Sequence, residues 1–110
     1  MEIKILATGG TFDKEYNELN GKLFFKDTHL SETLNLGRCR TPIKIETLMM
    51  IDSLDMTESD REKIARHCQK SKQNKIVITH GTDTMIATAK VIAKKIKDKT
   101  IVLTGAMIPY

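Results

Sequence analysis

The sequence predicts an α/β fold built on an open parallel sheet, with helices on both faces and strand order 2-1-3-4. Two observations predict it. Four short apolar runs, at residues 2–7, 43–51, 75–79 and 100–104, alternate with segments of helical periodicity. Each run also hands over to a polar or glycine-bearing turn. Strands alternating with helices make a parallel sheet with right-handed crossovers, so all four turns should emerge at one edge.

Taken in order, residues 2–7 run apolar into Gly9-Gly10, as a buried parallel strand should. Residues 12–27 are polar and irregular, but Asn20-Gly21 is a strong turn dipeptide. Lys22-Leu23-Phe24-Phe25 after it reads as a returning hairpin strand. Thr28 to Leu36 reads as a short helix, with Thr28 or Ser31 as cap, apolar Leu30, Leu34 and Leu36, and Gly37 as stop. Ile43 to Ile51 is the second parallel strand, ending in Asp52-Ser53-Leu54-Asp55.

Thr57 then caps a helix whose first turn is acidic and whose inner face carries Ile64, Ala65 and Cys68. Lys70 to Asn74 closes it. The third strand, Lys75 to Thr79, leads through His80-Gly81 into a helix marked by Met85, Ala89, Ile92, Ala93 and Ile96. The last strand is Thr100 to Thr104, followed by a loop from Gly105 to Pro109. As the last strand it is expected at a sheet edge, which leaves homo-oligomerisation open.

Composition narrows the function classes. The chain's 110 residues suit one domain, residues 1–110, and 40% hydrophobic with 29% charged residues describes a globular protein rather than a disordered one. No apolar run approaches the ~18 residues of a membrane span, and the N-terminus lacks the layout of a signal peptide. Cys39 and Cys68 form no metal-binding spacing and read as reduced, buried thiols of a cytoplasmic protein. The net charge of +4 comes from lysines in helical and post-helical segments, and with aromatics at only 5% none is interleaved as a base-stacking platform. The lysines therefore read as a solvated face rather than a nucleic-acid surface.

The chemistry sits in the turns. Thr8-Gly9-Gly10-Thr11 and Thr79-His80-Gly81-Thr82-Asp83-Thr84 each place a glycine-supported threonine where a buried strand stops. Ligands of open α/β sheets bind just outside the strand carboxyl ends. A threonine nucleophile at one turn and a Thr/Asp pair at the other would assemble a site from distant pieces of chain. The glycine pair alone also fits a plain tight turn, and it matches neither the P-loop nor the dinucleotide pattern. Thr82 or Asp83 would equally serve as an N-cap, and His80, closing a strand, reads as hydrogen-bonded structure.

The segments Ile5-Leu6-Ala7-Thr8-Gly9-Gly10-Thr11 and Ile78-Thr79-His80-Gly81-Thr82-Asp83-Thr84-Met85 resemble the two signatures of the bacterial-type L-asparaginases. Val102 to Pro109 and Asp52 to Met56 resemble two further segments of that family, in the same order. The resemblance implies a flavodoxin-like fold and a threonine-nucleophile amidohydrolase that converts L-asparagine to L-aspartate and ammonia. Thr11 matches the nucleophile, and Thr82 with Asp83 matches the second threonine and the aspartate that binds the substrate α-amino group. Ser53 matches the serine that holds the α-carboxylate, beside Gly10 of the first turn. Tyr16 matches the tyrosine that hydrogen-bonds the nucleophile.

Leu54 stands where the family usually has glutamine, and the family's catalytic lysine and C-terminal domain lie beyond the strand ending at Thr104. The resemblance thus implies a short or truncated nucleophile domain, about the first third of a usual member. The implied partner is a small molecule, L-asparagine or L-aspartate, with no cofactor, nucleic acid or membrane. The alternative is a non-catalytic remnant or amino-acid-binding domain of the same fold. Because the candidate site offers mostly hydroxyls and few carboxylates, it is a poor cation cage. Metal analysis of the purified protein is expected to find no stoichiometric ion.

Overall fold

A computed structural model describes residues 2–10 and 30–107, together with the backbone of 14–17 and 22–25. Four strands form one sheet: β1 (Ile3–Ala7), β4 (Ile43–Thr47), β5 (Lys75–Thr79) and β6 (Thr100–Thr104), in the order β4-β1-β5-β6. All three pairings are parallel, with Ile5 opposite Ile45 and Val77, and Val77 opposite Val102. This is the expected order 2-1-3-4, counting only the parallel strands. Because β1 connects outward to β4 and the chain then crosses to β5, a switch point opens between β1 and β5. A separate antiparallel hairpin joins β2 (Lys14–Asn17) to β3 (Lys22–Phe25). Lys22 to Phe25 is the expected return strand. Its partner was hidden in a segment read as irregular, since Lys14-Glu15-Tyr16-Asn17 carries a single apolar residue.

Alternation along the strands divides the core. Leu6, Ile76 and Ile78 face one side, where they pack with Ile64, Ala65 and Cys68 of α2 (Glu58–Lys70) and Ile92 of α3 (Met85–Lys95). Ile5 and Ala7 face the other side, under Leu30 of α1 (Leu30–Leu36). Burying a leucine- or isoleucine-sized side chain contributes about 1.5–3 kcal/mol, so the two-helix face carries most of the apolar stabilisation. Beyond α1 the second face opens into an apolar cleft of about 510 Å³ between Leu30, Val77, Thr104 and Ala106.

Local chemistry accounts for the helix ends. Thr57 and Asp60 form a reciprocal capping box at the start of α2: the Thr57 hydroxyl accepts from the Asp60 amide at 3.2 Å, and Asp60 accepts from the Thr57 amide at 2.9 Å. At the other end Lys99 donates to the Cys68 carbonyl at 2.8 Å and also to that of Ser71, satisfying carbonyls the helix leaves free. On β1, Lys4 is buried and its ammonium meets Glu46 at 2.7 Å. That hydrogen bond holds the Glu46 carboxyl below its ordinary value.

Several expectations are corrected. The second strand stops at Thr47 rather than Ile51, because Leu48, Met49 and Ile51 leave the ladder. The amides of Leu48 and Ile51 bond to the carbonyls of Ala7 and Thr8, and their side chains pack on the core. Ser31 lies inside α1, and Thr28 lies outside the described residues. Leu36 is exposed, as are Ala93 and Cys39. Cys68 is the buried thiol, and burial pushes it up to about 11.

The stop after α1 also differs. Cys39 donates to Leu34 and Arg38 to Asn35, a Schellman pattern, but the left-handed residue is Arg38 at φ 53° rather than Gly37. A non-glycine residue there costs roughly 1–2 kcal/mol. Arg38→Gly is therefore expected to stabilise the fold by about 0.5–1 kcal/mol after the glycine's own entropic cost. The check is a higher urea midpoint at unchanged slope.

Candidate active site

The turn after β1 begins with Thr8, fully buried, whose hydroxyl donates to the Thr79 carbonyl at 2.6 Å while its amide donates to the same oxygen at 3.2 Å. Thr8 thus ties β1 to β5, and its hydroxyl is committed to structure. Gly9 and Gly10 follow at φ 108° and 90°, a conformation that L side chains rarely adopt. A Cβ on Gly10 would lie 2.6 Å from the Gly81 nitrogen, so the β1 and β5 turns touch backbone to backbone at the switch point. Thr11 lies outside the described residues, and so does the side chain of Tyr16, whose backbone is part of β2.

The segment after β4 supplies a second wall. Asp52 accepts from the Leu54 amide at 3.1 Å and starts a 3₁₀ turn, Ser53–Asp55. Ser53 is 1% exposed and pressed on Gly81: a Cβ there would fall 2.6 Å from Ser53 Oγ. The Ser53 hydroxyl has no hydrogen-bond partner among the described residues. Buried hydroxyls are normally bonded, so an unsatisfied one beside a glycine turn is a ready contact for a ligand oxygen or nitrogen. Leu54, by contrast, is exposed.

After β5, helix α3 starts later than either proposed cap. Its N-cap is Thr84, whose hydroxyl makes no cap bond but donates to the Ser53 carbonyl at 2.8 Å. Thr82 and Asp83 are therefore spared from capping and stand exposed at the rim. The turn after β6 packs beside it at His80 and Thr82. A Cβ on Gly105 would press on the His80 carbonyl and lie 3.2 Å from Thr82 Cγ2, while the Thr82 hydroxyl contacts Met107 Sδ at 3.8 Å. Gly10, Ser53 and the 80–83 turn are thus brought together at the strand carboxyl edge.

Beneath this edge is a group of buried polar residues that the spacing of motifs did not reveal. His80 is 1% exposed, with Nδ1 2.7 Å from the Gly81 carbonyl and Nε2 2.7 Å from the Thr88 hydroxyl. Arg61 of α2 reaches the same hydroxyl. The available signal was positional: Arg61 and Thr88 occupy core-facing steps of the apolar stripes on α2 and α3. The Gly81 bond favours the charged imidazole, but burial dominates and Arg61 adds to it, so the His80 pKa is lowered.

Residues 2–110 match the family described as Asparaginase, N-terminal. An L-asparaginase of Thermococcus kodakarensis is 31% identical, covering 99% of this chain and 35% of that protein. A probable periplasmic L-asparaginase of Haemophilus influenzae is 36% identical, covering 97% of this chain and 33% of that protein. The solved thermostable L-asparaginase from Thermococcus kodakarensis superposes with a TM-score of 0.83 at 29% identity, over 99% of this chain and 35% of that one. The chain spans about a third of the length of these relatives.

The lowered His80 pKa makes stability depend on pH. The unfolded chain binds a proton near the ordinary value of 6.5, and the folded chain only below it. Stability from neutral His80 is therefore complete above pH 6.5 and lost as pH falls below it. Urea titrations across this range should show a steeper acid loss for wild type than for His80→Gln.

Proposed function

We propose a function from one premise: the chain belongs to the asparaginase family, as its N-terminal domain. Its site binds L-asparagine or L-aspartate at the switch point and carries the threonine half of an amidohydrolase. The observation that supports this most is the Ser53 hydroxyl, buried, pressed against Gly81 and without a hydrogen-bond partner among the described residues. In this reading Ser53 holds the substrate α-carboxylate beside Gly10. Asp83, exposed at the rim, takes the α-amino group.

Thr11 is the proposed nucleophile. Its oxygen attacks the side-chain amide carbon, the C–N bond breaks, and ammonia leaves with the hydroxyl proton delivered through the polar neighbours. Water then cleaves the acyl ester to give L-aspartate. Threonine is a poor nucleophile until a neighbour accepts its proton, a contribution worth ~10²–10⁴ in rate. Thr82 and the Tyr16 hydroxyl are assigned to that network, and backbone amides of the two turns to the developing oxyanion. No cofactor takes part. Among the described residues no helix is long and apolar enough to cross a membrane, in keeping with a proposed cytoplasmic location. Self-association through the β6 edge belongs to the same proposal.

Leu54 places an apolar side chain where the family usually has a hydrogen-bonding one, and this chain spans about a third of the length of its L-asparaginase relatives. The isolated 110-residue chain is accordingly expected to bind L-aspartate and to release ammonia from L-asparagine slowly or not at all. Any turnover should vanish in Thr11→Ala. Rates of ~10 s⁻¹ or more, as for an ordinary enzyme, would show the chain to be self-sufficient. Equal slow rates in wild type and Thr11→Ala would remove Thr11 as nucleophile.

A further inference from the structure

The buried polar residues beneath the site have roles that elementary donor–acceptor rules assign. A carbonyl oxygen only accepts, so the His80 nitrogen facing Gly81 carries a proton. A guanidinium only donates, so the Thr88 oxygen accepts from Arg61 Nε at 3.3 Å. The Thr88 hydroxyl then has its single proton to give, and the unprotonated Nε2 of neutral His80, at 2.7 Å, receives it. Met56 Sδ, 3.7 Å from the same oxygen, is a longer and weaker acceptor. Arg61 is itself held at the surface end by Glu58, at 3.2 Å. The bonds therefore run in one direction, from α2 through α3 to the turn after β5.

Their effect falls on one peptide unit. In a planar trans peptide the carbonyl of one residue and the amide of the next point in opposite directions. Drawing the Gly81 carbonyl to the buried His80 ring turns the Thr82 N–H the other way, towards the side on which Thr82 and Asp83 are exposed. No described residue accepts a hydrogen bond from that amide. The opposite tautomer would set a ring lone pair against the carbonyl oxygen and release this hold.

We propose that Arg61, Thr88 and His80 are positioning residues: their relay fixes the Nδ1–H tautomer of His80, which pins the Gly81 carbonyl and so presents the Thr82 amide and the Asp83 side chain to the ligand. This rests on the reading of the 81–83 turn as an amino-acid site. The relay itself is independent of turnover, since none of its members touches the proposed reacting atoms.

The test uses the full 110-residue chain, ¹⁵N-labelled. Long-range ¹H–¹⁵N spectra report the His80 tautomer, amide resonances report the 82–83 turn, and titration with L-aspartate reports binding. Wild type is expected to show Nδ1–H. Thr88→Ser, which keeps the hydroxyl, should preserve the tautomer, the turn resonances and the affinity. Thr88→Val should populate Nε2–H, shift the Thr82 and Asp83 amides and weaken L-aspartate binding by about tenfold or more, as expected for one lost buried hydrogen bond. Arg61→Met, acting one step further out, should move the same resonances in the same direction and serves if Thr88→Val fails to fold. An Nε2–H tautomer in wild type overturns the relay, as does a folded Thr88→Val protein with unchanged tautomer and turn. If wild type shows the Nδ1–H tautomer and the expected variant shifts but no L-aspartate binding, the relay stands and the amino-acid reading of the site falls.

Discussion

Two glycine turns and the Ser53 side chain meet where neither Gly10 nor Gly81 has room for a side chain. Gly10 lies against Gly81, and Gly81 against Ser53, at separations that a single added carbon would close to 2.6 Å. The β1 and β5 turns can approach this closely because the sheet order places those strands side by side, with β1 bonded to both β4 and β5. The double hydrogen bond from Thr8 to Thr79 tightens the same junction. Every other feature of the edge follows from that contact. The 3₁₀ turn carrying Ser53 is wedged under Gly81, α3 begins two residues past Asp83, and the turn after β6 packs against His80 and Thr82.

A junction so poor in side chains needs support from below, and apolar packing cannot orient a peptide group. Directional bonds do that work. Burying the polar side chains of Arg61, Thr88 and His80 is costly unless they are bonded, and all three are joined by hydrogen bonds. Against this network, the buried hydroxyls of Ser53 and Thr79 stand out in having no partner among the described residues. Ser53 belongs to the candidate site. Thr79 lines the apolar cleft beside Thr104 and Gly105 on the sheet face that α1 leaves uncovered. Among the described residues, α2 and α3 cover one face of the sheet, while the other opens beyond α1 into the apolar cleft.

Much of the fold was legible because its signals are local. Lys75–Thr79 and Thr100–Thr104 are short, β-branched and bounded by turns, and the strands coincide with those runs. Thr57 with Asp60 announced the start of α2, since a capping box is satisfied within four residues. Legibility failed where a distant partner decided the outcome. Leu48 to Ile51 reads as strand by composition, yet the end of β1 captures its amides and turns it aside. At the end of α1 the hydrogen-bond pattern, rather than the presence of Gly37, chose Arg38 for the left-handed position.

For the candidate site the division is similar. The sequence by itself determined the strand ends, the glycine turns and hence which residues would crowd one edge, because strand polarity and turn chemistry are written in neighbouring positions. Only the tertiary structure decided what each hydroxyl does. Thr79 is the last residue of β5 and Thr8 the first after β1, yet Thr8 bonds across to β5 while the Thr79 hydroxyl has no partner among the described residues. Thr84 serves Ser53 instead of its own helix, freeing Thr82 and Asp83. Arg61 and Thr88, 27 residues apart, meet at His80. A hydrogen bond depends on distance and direction in space, and those exist only once the helices have packed on the sheet.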